Sequence, residues 1–566
     1  MKKLRWQLLI IFVTGLVVGV LLLGEQPQPT SPLDTPEPVK GGVYTEALVG
    51  SLLRLNPLLN FYNTPDRDVS RLVFSGLIRF DSSGAPQPDL AESWGVSRDG
   101  TLYNVTIHEK AVWHDGQPVT ADDVIFTVDL IREGSDVVPL DLQDFWKEVE
   151  AVKLSEKVLQ FRLPEAFAPF PDYLSFGVLP KHLLDGNTLD QMIDLNFNIQ
   201  PVGSGPYRFD RLVVENGGIQ GVVLAAFKDY YGQKPYIDEI VFRCYPDAPA
   251  ALQAYRDGQV QGIGMVTPEI LNDVLAEPKL GIYTARKPEL SMVMFNMKSQ
   301  EAPFLQDVKV RRALLAGLNR QSLVDKILQG QAVVADGPIL PDTWAYYANL
   351  KRVEYDPDQA RSLLKEAGYV LAEEGDAVRK KDEVALRLQL IYPDDEQHQM
   401  IAETVRDNWS LLGVEVALEP VPYEVLLSER LDQRDFQAAL VDLNLSHTPD
   451  PDPYPFWDQG QAAGGQNYSQ WDNRIASEFL EQARVTVKLD ERAKYYRNFQ
   501  IIFTQELPAL PLYYTVYTYA VDRDIQGVRV GPLFDTSDRF TGVTEWFLAG
   551  RPNQQEDALA PSGSNP

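Results

Sequence analysis

The sequence is poor in the residues that thiol and metal chemistry require. Its 566 residues include one cysteine, Cys244, and five histidines. A single thiol excludes an intrachain disulfide. Neither CxxC nor HExxH spacing occurs, so no metal site and no cofactor are expected. GxSxG is missing as well, and with it the serine-hydrolase elbow. No internal repeat is visible. Positive charge is also scarce: 52 Lys and Arg against 80 Asp and Glu leave a net charge of −28. That balance argues against nucleic acid or an anionic membrane surface as the main partner, because either would repel the chain. Cys244, inside the strand-like VFRCY, reads as a small buried hydrophobe.

The chain is too long for one hydrophobic core, so two or three domains are expected. Its 44% hydrophobic content suffices for sizeable cores. The N-terminus carries Lys2, Lys3 and Arg5, then an uncharged run from Leu8 to Leu23, the pattern of an export signal. No clean small-x-small cleavage site follows. Residues 1–24 are therefore read as a signal-anchor or signal peptide, tethering an extracytoplasmic body to the cytoplasmic membrane. Residues 25–40, with five prolines, read as an extended linker. Residues 551–566 read as a disordered tail.

The body mixes strands and helices. Tyr103, Val105 and Ile107 alternate with polar residues, predicting a half-buried strand. VTADDVIFTVDLI predicts a helix capped by Thr120, with Asp123 three residues on. Val310, Ala313, Leu314, Gly317 and Leu318 share one helical face. In YDPDQARSLLKEAGY, Asp356 caps, Pro357 opens and Gly368 stops a helix. Leu386, Leu388 and Leu390 then predict a strand. Ile401, Val405, Trp409 and Leu412 predict a helix ending at Gly413, and Val414, Val416 and Leu418 a second strand. This β-α-β unit calls for a parallel pair and an α/β or mixed α/β class.

FQAALVDLNL predicts another strand, and LSHTPDPDPYPFW (Leu445 to Trp457) follows its carboxyl end. Ligands of open α/β sheets bind outside such ends. Prolines hold a loop there at low entropic cost. His447, Asp450, Tyr454 and Trp457 are thus candidate pocket residues. The competing reading is a rigid surface loop whose aromatics pack on the domain. Asp122–Asp123 and Asp450–Asp452 are the obvious carboxylate pairs for a hydrolase. The first sits at a helix start, where the dipole favours acids. The second, flanked by prolines, has no fixed geometry.

Several ordered blocks carry a resemblance: LVFSGLIRFD, PDLAESWGVSRDGTLYNVTIHEKAVWHDGQPVTADDVIFTV, LPKHLL, GSGPYRF, FNMKSQEAPFLQDVKVRRALLAGLNRQSLVDKILQGQAVVADGPILP, TPDPDPYPFW and LPALPLYY. Together they resemble the extracellular solute-binding proteins of family 5, receptors of oligopeptide, dipeptide and nickel ABC importers. The resemblance implies a two-lobed α/β periplasmic-binding-protein-like fold (type II, three-domain class) with a hinge between lobes. It divides the body into a discontinuous domain I (41–60, 200–290 and 513–550), domain II (61–199) and domain III (291–512). PELSMVMFNM and LPALPLYYTVYTY become the crossing segments.

The function implied is an extracytoplasmic, monomeric, non-catalytic receptor that captures an oligopeptide and delivers it to ABC permease subunits. The alternatives are an oligosaccharide or other non-peptide solute, a membrane-tethered sensor and, remotely, an extracellular hydrolase. The resemblance places ligand against Tyr62, Asn63 and Thr64 of FYNT, Met292, Asn444, Ser446, His447, Asp450, Tyr454, Trp457, Tyr513 and Tyr514. It reads Trp113 and His114 as structural. Peptide-binding members carry an aspartate for the ligand ammonium where this chain has His447. Either Asp450 substitutes or the ligand is not a free-amino peptide.

Overall fold

The computed structural model describes residues 37–371, 377–446, 449–531 and 533–549. The export segment 1–24, residues 25–36 of the linker, His447 and the tail 551–566 lie outside the described residues. Among those described, no helix is long and apolar enough to cross a membrane.

One large mixed sheet organises the body. Its strands, numbered here in chain order, are β1 (Val43–Val49), β2 (Tyr207–Glu215), β3 (Gly218–Ala226), β4 (Glu239–Tyr245), β5 (Gly262–Ile263), β6 (Leu280–Phe295), β7 (Ala332–Val334), β8 (Arg387–Pro393), β9 (Glu415–Val421), β10 (Ala438–Asn444) and β11 (Ala509–Asp522). They lie in the order β9-β8-β10-β6-β11-β5-β1-β4-β3-β2, with β7 also pairing to β11. The long antiparallel pair β6 and β11 runs through the middle and belongs to both ends of the sheet. A separate four-stranded antiparallel sheet, Ala91–Val96, Leu102–Ile107, Val158–Arg162 and Glu150–Lys153, lies between β1 and β2 in sequence.

Side-chain alternation along β6 separates two cores. Val293 and Phe295 face one with Trp409 and Leu314; Met292 and Met294 face the other with Trp457 and Phe503. A third core, under helices Ala248–Arg256 and Pro268–Leu275, holds Ala47, Ile263 and Ala520. This is the two-lobed α/β arrangement, with β6 and β11 as the crossing segments.

The local signals hold well. β8 and β9 pair in parallel across helix Glu396–Ser410, and Gly413 takes the positive φ that ends it. Asp356 accepts the N–H of Gln359 as a cap. Asp123 accepts both the N–H and the hydroxyl of Thr120 and also the N–H of Lys181. Its neighbour Asp122 pairs with Lys153. Both acids of that pair therefore have structural partners. Trp113 is buried. His114 accepts the N–H of Gly203 at Nδ1 and faces the Gly205 carbonyl with Nε2, and burial pushes its pKa down to about 4. Cys244 departs from expectation. It is half-buried rather than buried, although it shares a face of β4 with buried Ile240 and Phe242. Desolvation still lifts its thiol to about 11.

The helix Glu396–Ser410 is fastened to the sheet by His398. Its ring lies between Asp395, at 2.5 Å, and Asp442 of β10, at 3.0 Å. Burial opposes the charged imidazolium, but the two carboxylates outweigh it and raise the His398 pKa above 6.5. A group raised on folding stabilises fully below its unfolded pKa, and that contribution fades as pH climbs through the folded value. Replacing His398→Gln should therefore lower the unfolding midpoint most below pH 6.5. The gap between variant and parent should narrow as pH rises above that value, which a series of chemical denaturation curves would read.

Candidate functional site

The ladder between β6 and β11 breaks between Arg286 and Leu290. Lys287, Pro288 and Glu289 have no ladder partner on β11, although the Thr515 hydroxyl there reaches the Glu289 carboxylate, and Pro288 has no N–H to give. Its carbonyl instead accepts the N–H of Leu445, just past β10. At this break a cleft of about 640 Å³ opens. Its walls are Lys287–Glu289, Asn444 and Ser446, the turn Phe61–Thr64, Gly264–Met265 and the segment around Thr536 and Arg539. A second arm of about 350 Å³ continues past Phe61, Arg67, Pro139, Ser446 and Asp535, which border both spaces.

Helix α1 (Thr64–Val73) positions one wall. Asn63 stands at its N-terminus without capping it through the side chain; the amide instead donates to Asp66 at 2.8 Å and to the Ser51 carbonyl at 3.0 Å. Arg67 leans back to the Phe61 carbonyl and to Thr64 Oγ1 and pairs with Asp535 at 2.9 Å.

Beneath the cleft lies a buried ion set. Arg539 pairs with Asp68 through two N–H bonds, at 2.7 and 2.9 Å, and with Glu46 at 2.6 Å. Glu46 also accepts the hydroxyls of Tyr44 and Tyr519. Burial lifts Asp68 to about 6 even against the pull of Arg539. Tyr44 and Tyr519 stay neutral, pushed well above 10 by burial and by Glu46.

The residues singled out from sequence divide. Tyr62, 79% exposed, Asn63, Thr64, Asn444 and Ser446 come together on the cleft. Met292, Trp457, Tyr513 and Tyr514 do not; they are core residues. Trp457 packs edge-on to Phe503, and the Tyr514 hydroxyl reaches the carbonyls of Gly337 and Ile339. The proline-rich stretch is no surface loop either. Tyr454–Trp457 forms a helical turn, Tyr454 carries the Arg484 guanidinium over its ring at 4.2 Å, and Asp450 is bound on both oxygens by Arg492. Asp450 therefore lies away from the larger cleft with its charge already matched. Asp452 pairs with Arg484. The tyrosine of β11 that reaches the cleft is Tyr517. Sequence reasoning missed it, together with Lys287, Glu289, Arg67, Asp535 and Arg539. No local pattern marks these residues, because bulge, helix and C-terminal segment meet only in the fold.

A family model for the bacterial extracellular solute-binding proteins, family 5, matches residues 85–466, more than half of the chain. The chain belongs to this family. It is 27% identical over 533 residues to the oligopeptide-binding protein AppA of Bacillus subtilis, covering 91% of this chain and 93% of that protein. The structure of AppA in complex with a nonapeptide superposes with a TM-score of 0.63 at 25% identity, covering 91% of this chain and all of that one. The dipeptide-binding protein of Escherichia coli (strain K12) is 26% identical over 472 residues, 79% of this chain and 84% of its own. NikZ of Campylobacter jejuni, solved with Ni(L-His), gives a TM-score of 0.64 at 26% identity, covering 89% of this chain and 99% of that one.

Arg539 is the cation on which two buried carboxylates depend. Removing one partner of such a set costs about 3–5 kcal/mol. Arg539→Met should lower the unfolding free energy at pH 7.5 by that order, measured by urea denaturation. The deficit should shrink toward pH 5, since burial already raises the Asp68 carboxyl and an acid left without its cation is most stable at low pH.

Proposed function

We propose that this protein is the substrate-binding receptor of an ABC importer, that its ligand is an oligopeptide enclosed in the cleft between the lobes, and that the closed form delivers it to the permease. The observation that carries the reading is the composition of the cleft. It is elongated across two connected arms, and both signs of charge stand on its walls, Lys287 and Arg67 with Glu289 and Asp535. A zwitterionic chain with a polar backbone fits such a surface. AppA with its nonapeptide and the dipeptide-binding relative support the same assignment.

Of the residues that would suit an oligosaccharide, Trp457, Tyr454 and Asn444, only Asn444 lines the cleft, and the two aromatic rings that would stack on a sugar do not. The role is capture and release without turnover of the ligand. We assign domain I to 41–60, 200–290 and 513–550, domain II to 61–199 and domain III to 291–512. β6 and β11 form the hinge. The N-terminal segment tethers the body outside the cytoplasmic membrane.

A thermal-shift screen against peptide pools tests the reading. A ligand at a hundred times its dissociation constant stabilises by about 2.7 kcal/mol, so a peptide pool should raise the melting temperature measurably. Sugars or nickel chelates as the sole stabilisers would overturn the peptide assignment. Asn444→Ala should weaken binding of a responding peptide severalfold by calorimetry while shifting the ligand-free midpoint by less than about 0.5 kcal/mol, as exposed substitutions do.

A further inference from the structure

The narrower arm of the cleft ends on a carboxylate that no cation among the described residues claims. Asp172, in the turn Phe170–Leu174, is 9% exposed. It lines the arm and also a chamber of about 200 Å³ beyond it. Among the described residues, its carboxylate accepts one hydrogen bond, from the backbone N–H of Asp450 at 2.9 Å. The nearby guanidiniums are already engaged, Arg492 with Asp450 and Arg484 with Asp452. Three carboxylates thus share two cations, and the hydroxyls facing them, on Tyr103, Tyr173 and Tyr496, stay neutral.

On the arm's own walls, Arg67 pairs with Asp535 and Arg71 with Asp538. Arg79 donates to the Pro88 carbonyl, and Asp141 stands opposite. Three arginines therefore face four acids, counting Asp172, and the excess is negative. Burial, and then the charge of Asp450, push the Asp172 carboxyl well above the usual carboxylate range. Between the charges the walls are apolar: Phe61, Phe74, Phe80, Phe176 and Phe534. A buried acid without a cation takes up a proton rather than stand charged, and an arriving cation restores the charged form. A long aliphatic stem with a cationic head meets both features, since the stem packs on apolar wall and the head reaches the acid.

We propose that Asp172 anchors a subsite for a cationic group of the ligand, an ammonium or guanidinium that enters the arm and pairs with this carboxylate. The proposal rests on the peptide reading and narrows it to peptides bearing such a group, on a side chain or at the amino end.

Calorimetry of the full chain tests it with alanine-based tetrapeptides carrying Met or Lys at each position in turn, with free or acetylated amino ends, at pH 7.5. The parent should prefer a cationic member by about tenfold or more, the range for a desolvated charge pair, and Asp172→Asn should compress that preference toward unity. A preference lost on acetylation places the cation at the amino end; one that follows Lys places it on a side chain. Either result supports the subsite. Equal affinities in the parent, or a preference that survives Asp172→Asn, overturn it and leave the peptide reading standing. Failure of every peptide to bind overturns the peptide reading instead. Asp172 is then tested by ligand-free melting between pH 5 and 8. An acid raised on folding loses stability as pH rises, so the parent should weaken toward pH 8 and Asp172→Asn should flatten the profile. Superimposed profiles overturn the claim that this carboxylate lacks a cation.

Discussion

The cleft depends on one guanidinium. Arg539 uses all five of its N–H groups: Nε and one of Nη2 on Glu46, the other of Nη2 and one of Nη1 on Asp68, and the last on the Thr536 carbonyl. Its partners lie in β1 and α1, far away in sequence. Bringing three charges out of water is expensive, and the set returns little stability relative to a well-packed apolar cluster. What it supplies here is direction. The fork geometry of Arg539 admits one placement of Asp68, hence one placement of α1, and α1 carries Thr64 and Arg67 on the cleft wall. Saturation also has a functional consequence. With no N–H left over, Arg539 borders the cleft without offering it a donor.

The sheet supplies the second constraint. β6 and β11 hold each other from Leu280–Asp522 to Met294–Ala509, yet the ladder is interrupted at Lys287–Glu289. A paired ribbon resists bending along its length, and an interruption lets it bend where the bonds are missing. The same three residues line the cleft. A change of angle between the lobes therefore acts first on residues of the cleft wall. Bulge and site coincide for this reason, and a hinge in a fully paired stretch would have to break ladder bonds to move.

The elements that could be read from sequence are those whose causes are local. Thr120 and Asp123, Asp356 and Gln359, and the Leu386–Leu418 β-α-β unit each need only a few neighbouring residues, and each formed as expected. Half of the cleft could be read only through the family resemblance, which named Asn444, Ser446 and the FYNT turn. The other half could not. Asp68 and Arg539 are separated by most of the chain, and a charged residue in a short turn such as SDRF reads as solvated. Tyr513 and Tyr514 are neighbours on β11, so they point to opposite faces and each enters a core, while Tyr517 borders the cleft.

The proline-rich stretch after β10 has a role that neither sequence reading anticipated. It is neither an aromatic pocket wall nor an inert surface loop. Its prolines hold Asp450 and Asp452 two residues apart in a chain with little freedom to collapse, and Arg492 and Arg484 receive them. That fixed geometry points the N–H of Asp450 at Asp172, a residue of the segment that packs against it. The stretch therefore spends its own acids on internal cations and orients a third acid toward the ligand space. An aspartate within this stretch would be a poor ligand anchor, since every cation within reach is already bound to it. The acid left over, Asp172, lies directly against this stretch on the arm wall, where the proposed ligand cation would meet it.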